Sequence, residues 1–145
     1  MSANLCSIEM SNTSIVNSTS TNGNGGAVLL GLESTLRVGK SSRFTSNKAV
    51  EASGGAISCT ECDSILLNQS TVFEHNYAGL DGGAVHLVAL GKPTSSAGSI
   101  FIGNTAKRNG GAIHSYQGDW TSTGDRYEQN SAVLGSGGEI GRAHV

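Results

Sequence analysis

The sequence predicts an all-β fold, a parallel β-solenoid of about five rungs, each 27–29 residues long. Three observations predict it. First, a glycine pair followed by Ala and a branched aliphatic residue recurs at Gly25-Gly26-Ala27-Val28, Gly54-Gly55-Ala56-Ile57, Gly82-Gly83-Ala84-Val85 and Gly110-Gly111-Ala112-Ile113, with an altered copy at Gly137-Gly138-Glu139-Ile140. Second, an aromatic residue with Asn three positions later precedes four of these pairs by nine or ten residues: Phe44 and Asn47, Phe73 and Asn76, Phe101 and Asn104, Tyr127 and Asn130. Third, the apolar letters between the marks form short, often alternating runs bounded by turn formers, and none carries a helical stripe. Two motifs held at one offset through four units define an internal repeat.

Each element of a unit has a physical reason. "STLRV" (Ser34–Val38), "SILL" (Ser64–Leu67) and "AVHLVAL" (Ala84–Leu90) read as strands, two or three to a unit. One unit cannot bury its own apolar face, but stacked copies can, each strand pairing in parallel with its counterpart on the next rung. The glycine pair supplies a corner where φ is positive or backbones come close. Alanine suits the crowded position beside it. Period-two alternation then turns Val28, Ile57, Val85 and Ile113 inward, with Leu30, Cys59, Leu87 and Ser115 extending that stack. Phe44, Phe73, Phe101 and Tyr127 form a second, aromatic stack. The Asn residues suit a tight corner, because Asn tolerates the left-handed region, and stacked Asn side chains can hydrogen-bond as a ladder. The first unit lacks the aromatic and offers Ser14-Ile15-Val16-Asn17. Five rungs at the strand spacing make a rod of roughly 20–24 Å.

This pairing of GGA(I/V) with FxxN resembles the repeats of the polymorphic outer membrane proteins, over about residues 12–140. The resemblance implies a right-handed parallel β-helix from a surface adhesin. That family's plan also includes a signal peptide and a membrane β-barrel, neither of which reads in this chain. Signal and anchor are therefore expected outside it, and the segment is expected to be cut from a longer solenoid.

Residues 1–139 are read as the β-helix segment and 140–145 as a non-native tail. "IGRAHV" breaks the pattern, is not expected to continue into a strand, and is what a common sequencing adapter encodes in one frame before a stop. A hybrid codon at the junction would explain Glu139 where Ala is expected.

Composition restricts the function. Only 37% of residues are hydrophobic and 14% charged, yet one proline and apolar residues in register with the repeat argue against disorder. The net charge of −2, without a run of Lys or Arg, gives no phosphate-tracking surface and no nucleic-acid partner. No apolar stretch approaches the roughly 20 residues of a membrane span.

Candidate chemistry is sparse. Cys59 and Cys62 form a C-x-x-C pair. They read as a local disulfide or two thiols at a turn, since a zinc site wants a second pair and a redox motif wants a helix N-terminus. His86 and His114 share one register, about 5 Å apart on stacked rungs, near enough for a metal clip or pH-sensitive repulsion. Alternation also turns them outward as ordinary surface histidines. Asp63, Asp81, Asp119, Asp125, Glu51, Glu61, Glu74 and Glu128 are the acids that catalysis would draw on, but no register stacks two of them. Asp81 has Asn24, Ser53 and Asn109 as register mates. Asn12, Asn17 and Asn68 lie in N-x-S/T sequons. "HSYQGDW" reads as a loop off the rod, in which Tyr116 and Trp120 either stack on a sugar or cap the local core. No catalytic, cofactor-binding or metal-ligating set is expected.

The functional expectation is a non-enzymatic, extracellular or cell-surface segment, on the outer membrane if bacterial. Its role would be adhesin-like binding of a surface protein or glycan, or structural. The alternative is a fragment of a carbohydrate-active enzyme of the polysaccharide lyase or hydrolase kind, or a lectin. Its working residues would lie outside the segment or on loops over 90–98 and 115–126. A plain spacer is a third reading.

Overall fold

The computed structural model describes residues 1–3, 5–88 and 91–143. Among them there is no helix, and strands β1–β21, numbered in chain order, stack into four parallel sheets. The first contains β1 (Ser2–Ala3), β5 (Val28–Leu30), β9 (Ile57–Thr60), β13 (Val85–Val88), β17 (Ile113–Tyr116) and β21 (Ile140–Ala143). The second contains β2 (Ser7–Met10), β6 (Thr35–Val38), β10 (Ser64–Leu67), β14 (Thr94–Ala97) and β18 (Trp120–Thr123). The third contains β3 (Ser14–Val16), β7 (Arg43–Thr45), β11 (Val72–Glu74), β15 (Ile100–Ile102) and β19 (Arg126–Glu128). The fourth contains β4 (Thr19–Ser20), β8 (Lys48–Ala49), β12 (Tyr77–Ala78), β16 (Thr105–Ala106) and β20 (Ser131–Ala132). The chain is a parallel β-solenoid of about five turns.

A rung thus has four strands, not two or three. The fourth follows the repeated Asn and is two residues long, too short for alternation to announce it. Residues 94–97 and 120–123, expected in loops, are strands of the second sheet, so "HSYQGDW" is a tight turn between β17 and β18 rather than an excursion. Ala89 and Leu90, the end of the expected Ala84–Leu90 strand, lie outside the described residues, as do His144 and Val145 of the expected non-native tail. Ile140–Ala143 of that tail do form a strand, with Ile140 opposite Ile113. Backbone pairing needs only a free edge and an inward aliphatic residue, and Ile140 supplies the second.

The corners carry the two glycines for different reasons. Gly54 has φ +71°, a conformation that L side chains rarely adopt. At Gly55 a Cβ would lie 2.1 Å from the carbonyl oxygen of Gly83 on the next rung, so nothing larger than hydrogen fits. Rung-to-rung hydrogen bonds continue through the corner, with Gly54, Gly55 and Ala56 donating to the carbonyls of Asp81, Gly82 and Ala84.

The inward rows match the expected alternation. Val28, Ile57, Val85 and Ile113 are fully buried and paired in register, and so are Leu30, Cys59 and Leu87, with Ser115 at 2% exposure. The second sheet adds Leu36, Ile65, Thr94 and Trp120 in one row. The third sheet stacks Phe44, Phe73, Phe101 and Tyr127 at centroid spacings of 4.9, 4.9 and 5.0 Å, within 6° of parallel. The rung spacing, rather than the preference of the rings, dictates this arrangement.

The asparagines form a buried ladder. The backbone and side-chain amides of Asn47 donate to Oδ1 of Asn76 at 3.0 and 3.1 Å, and Asn76 donates likewise to Asn104, and Asn104 to Asn130. Each side-chain amide also donates backwards, as Asn76 does to the Phe44 carbonyl at 3.0 Å. Every amide hydrogen and Oδ1 is thereby used, which is what burial demands. The left-handed residue is not the Asn but the one before it: Ser46, His75, Gly103 and Gln129 all have φ between 53° and 61°. In the first unit Asn17 takes that left-handed position, with φ 57°, and Ser18 begins the ladder by donating to Asn47 Oδ1. At the other end Glu139 accepts from the Asn130 amide at 2.6 Å, a use for the residue that replaces Ala.

Asn76→Ala would take the shared acceptor from the backbone and side-chain amides of Asn47 and a donor from the Phe44 carbonyl. At 1–3 kcal/mol for each buried unpaired group, we expect a loss of about 3 kcal/mol in denaturant unfolding. A loss within about 0.5 kcal/mol, the level of an ordinary surface change, would show that the ladder does not hold the rungs.

Candidate functional site

The repeat-motif glycines, aromatics and asparagines form the scaffold, and the chemistry lies outside it. Cys59, on β9, and Cys62, just after it, are both fully buried and are joined as a disulfide with Cα atoms 5.7 Å apart. Cys6 is free and half-buried.

A second ladder runs along the outside of the glycine corners. The residue before each pair is a short acceptor: Asn24, Ser53, Asp81, Asn109, Ser136. Each of the first four side chains accepts from the backbone N–H of its counterpart on the following rung: Ser53 to Asn24 at 2.9 Å, Asp81 to Ser53 at 3.2 Å, Asn109 to Asp81 at 3.1 Å, Ser136 to Asn109 at 3.1 Å. The sequence repeats the chemistry here but not the letter, which is why the row escaped the reading of motifs. Asp81 is the one charged member of that row, 4% exposed. Its Oδ1 also accepts from the Asn109 side chain at 3.0 Å, and its carboxylate forms an ion pair with the half-exposed Arg108.

The corner brings this row beside the outward positions of the first sheet. His86 on β13 and His114 on β17 are paired in register, their rings 5.4 Å apart and within 5° of parallel. They are not solvated: His86 is 9% and His114 6% exposed. The reason is the chain around the glycine corner, which folds Asp81 and Arg108 against them. Their neighbours in the row are small, Ser58 on one side and Gly141 on the other. Nδ1 of both rings is buried without a hydrogen-bond partner among the described residues.

Asp81, His86 and His114 each offer a ligand atom, and those atoms all lie within 4.8 Å of one another. Comparing Asp81 only with its register mates hid this, because the histidines lie across the corner in another row. The signal was available as the five-residue interval from the acid, over the glycine pair, to His86. Burial pushes the His86 imidazole down to about 4, His114 and Arg108 push the same way, and Asp81 opposes them. Burial likewise lowers His114. Burial would raise Asp81, but the Arg108 hydrogen bond, His114 and Asn109 outweigh it and hold the carboxyl below its usual range. Two neutral imidazoles and an ionised carboxylate therefore border a groove of about 500 Å³ that Tyr116 and Arg108 also line.

The other candidates fall elsewhere. Trp120 is 3% exposed and packs in the core, while Tyr116 lines the groove. Asn12, Asn17 and Asn68 are all exposed. Among the described residues no paired strand position sets two carboxylates opposite each other; Glu9 faces Arg37, and Glu74 faces Thr45 and Ile102.

Glycine corners, an aromatic stack and an asparagine ladder, repeated on successive turns, define a repeat-built parallel β-helix. Residues 41–60 and 98–116 match the Chlamydia polymorphic membrane protein repeat, each span containing one FxxN and one GGAI. These two stretches are similar to polymorphic membrane protein repeats, and both lie within the parallel β-helix. Neither a curated protein nor a solved structure matches it.

The disulfide closes a very short loop, with a sequence separation of 3. The loop-entropy relation gives it about 2 kcal/mol. Unfolding in denaturant with and without reductant should show that difference, and identical midpoints would mean that the bond adds nothing.

Proposed function

We propose that this segment is a non-enzymatic, adhesin-like binding rod, displayed outside the cell and contacting a surface protein or glycan through repeated outward side chains. One observation carries the reading: five of the candidate carboxylates are engaged by neighbours other than acids. Asp63 pairs with Lys92 at 2.6 Å, Glu74 with Arg43 at 2.9 Å, Glu128 with Arg126 at 2.6 Å and Asp81 with Arg108. Asp125 accepts from Ser96, Ser99 and Ser122. Glycoside-cleaving chemistry needs two carboxyl groups free to flank one bond, and these five do not supply such a pair.

What the outward faces offer instead is polar and repetitive. Thr35 donates to Ser7 at 3.0 Å across rungs, and Arg43 reaches Glu74. A shallow trough of about 560 Å³ at the turn after the second sheet is lined by Ser11, Asn12, Lys40, Asn68 and Gln69. Amide, hydroxyl and ammonium groups suit the hydroxyls of a glycan or the backbone of a peptide. No described helix is long and apolar enough to cross a membrane. The buried disulfide fits an oxidising compartment.

The test is saturable binding of the labelled chain to intact cells and to a glycan array. Binding that weakens in Asn68→Ala and Gln69→Ala, with an unchanged Tm, supports the rod reading. Loss of polysaccharide chain length, read as new reducing or unsaturated ends, would replace it with the enzymatic one. No binding to any surface would leave a spacer.

A further inference from the structure

We propose that Asp81, His86 and His114 form a binding site for a divalent transition-metal ion of the zinc class, clipping two adjacent rungs together. This goes beyond the binding role of the rod and does not depend on it.

The geometry is that of three ligands already gathered. Asp81 stands on the outer ladder of one rung, His86 five residues later on the same rung, and His114 in the same row on the next. Their ligand atoms lie within 4.8 Å of one another. A tetrahedral zinc ion wants them roughly 3.4 Å apart, given bonds of about 2.0–2.2 Å. Small rotations of the imidazoles and the carboxylate close that gap. Ser58 and Gly141, which flank the rings in their row, set no large side chain against that rotation.

The second observation is the state of the histidines. Both are more than nine-tenths buried, yet Nδ1 of each lacks a hydrogen-bond partner among the described residues. A buried polar nitrogen left unused is costly, and a metal ion or a ring turned to hold one removes that cost. The carboxylate also differs from its row. Asn or Ser serves the backbone bond on the other rungs, so the ladder does not require the charge that Asp81 brings.

Arg108 is the competitor. Its guanidinium holds the Asp81 carboxylate now, but it is 54% exposed and can swing into solvent. A divalent ion would exchange one cation for another on the same acid, and the remaining coordination positions would open on the groove beside Tyr116. Imidazole ligands favour zinc, nickel, cobalt or copper over calcium and magnesium, which take oxygen.

The test uses the whole chain, stripped with chelator and titrated calorimetrically with zinc, nickel, calcium and magnesium chlorides. One equivalent of zinc or nickel should bind and raise Tm, while calcium and magnesium should do neither. Cobalt(II) should give the visible absorption of a low-coordinate site. His86→Ala and His114→Ala should abolish binding; His75→Ala and Cys6→Ser should not. Arg108→Ala, a change at a half-exposed residue, should tighten zinc by at least about tenfold by removing the rival charge. That variant decides the matter even if a histidine variant fails to fold. Absent or non-stoichiometric binding, binding that survives loss of both histidines, or an Arg108→Ala affinity that is unchanged or weaker would overturn the proposal.

Discussion

The structure depends on one constraint: each stretch of backbone must lie in register on the same stretch of the rung before it, at the spacing of a hydrogen-bonded sheet. The second glycine of each corner shows how tight this is. Between Gly55 and the Gly83 carbonyl there is no space for a methyl group. Once the corners superpose, the strands between them superpose too, and most inward side chains meet their own kind. Aliphatic meets aliphatic, ring meets ring at 4.9–5.0 Å, and amide meets amide. For apolar residues this is ordinary packing. For asparagine it is a condition, because a buried amide is tolerable only when its hydrogens and oxygen are all used, and only another asparagine on the next rung uses them in this way.

That constraint explains what could be read from the amino-acid sequence. Gly55, Phe73 and Asn76 were legible because the requirement they meet admits one residue type, so the letter itself recurs. The four sheets were only partly legible. Tyr77–Ala78 and its counterparts are two residues long and carry no periodicity. The left-handed position before each ladder asparagine was also hidden, because Ser46, His75, Gly103 and Gln129 share a conformation and no chemistry. Assigning that conformation to Asn itself followed residue preference, but the need to fill a buried ladder overrode it.

The outer ladder sits between these cases. Asn24, Ser53, Asp81 and Asn109 share one task, accepting a backbone N–H, and any short acceptor performs it. A reading by identical letters passes over such a row, and a search for stacked acids passes over it too, since Asp81 stands alone among its mates. The neighbours that give Asp81 a chemical setting belong to another row. His86 and His114 share a row that alternation assigns to the outside, yet the corner covers them. Alternation tells which face a side chain takes, not whether another segment lies over that face.

Conformational demands fill the inside of this solenoid so completely that chemical variety is confined to positions where a class of residue suffices. The corner row is such a position. Replacing a neutral acceptor by Asp81 keeps the rung-to-rung bond and adds a charge, and the next rung answers with Arg108. The histidine row is another, since Ser58 and Gly141 occupy it on neighbouring rungs without breaking the sheet. A distinctive cluster can therefore arise by a few substitutions on two adjacent rungs while the repeat stays intact. In a repeat-built rod, the positions that depart from their own row are the ones to examine for chemistry, and they must be compared across the corner as well as along the stack.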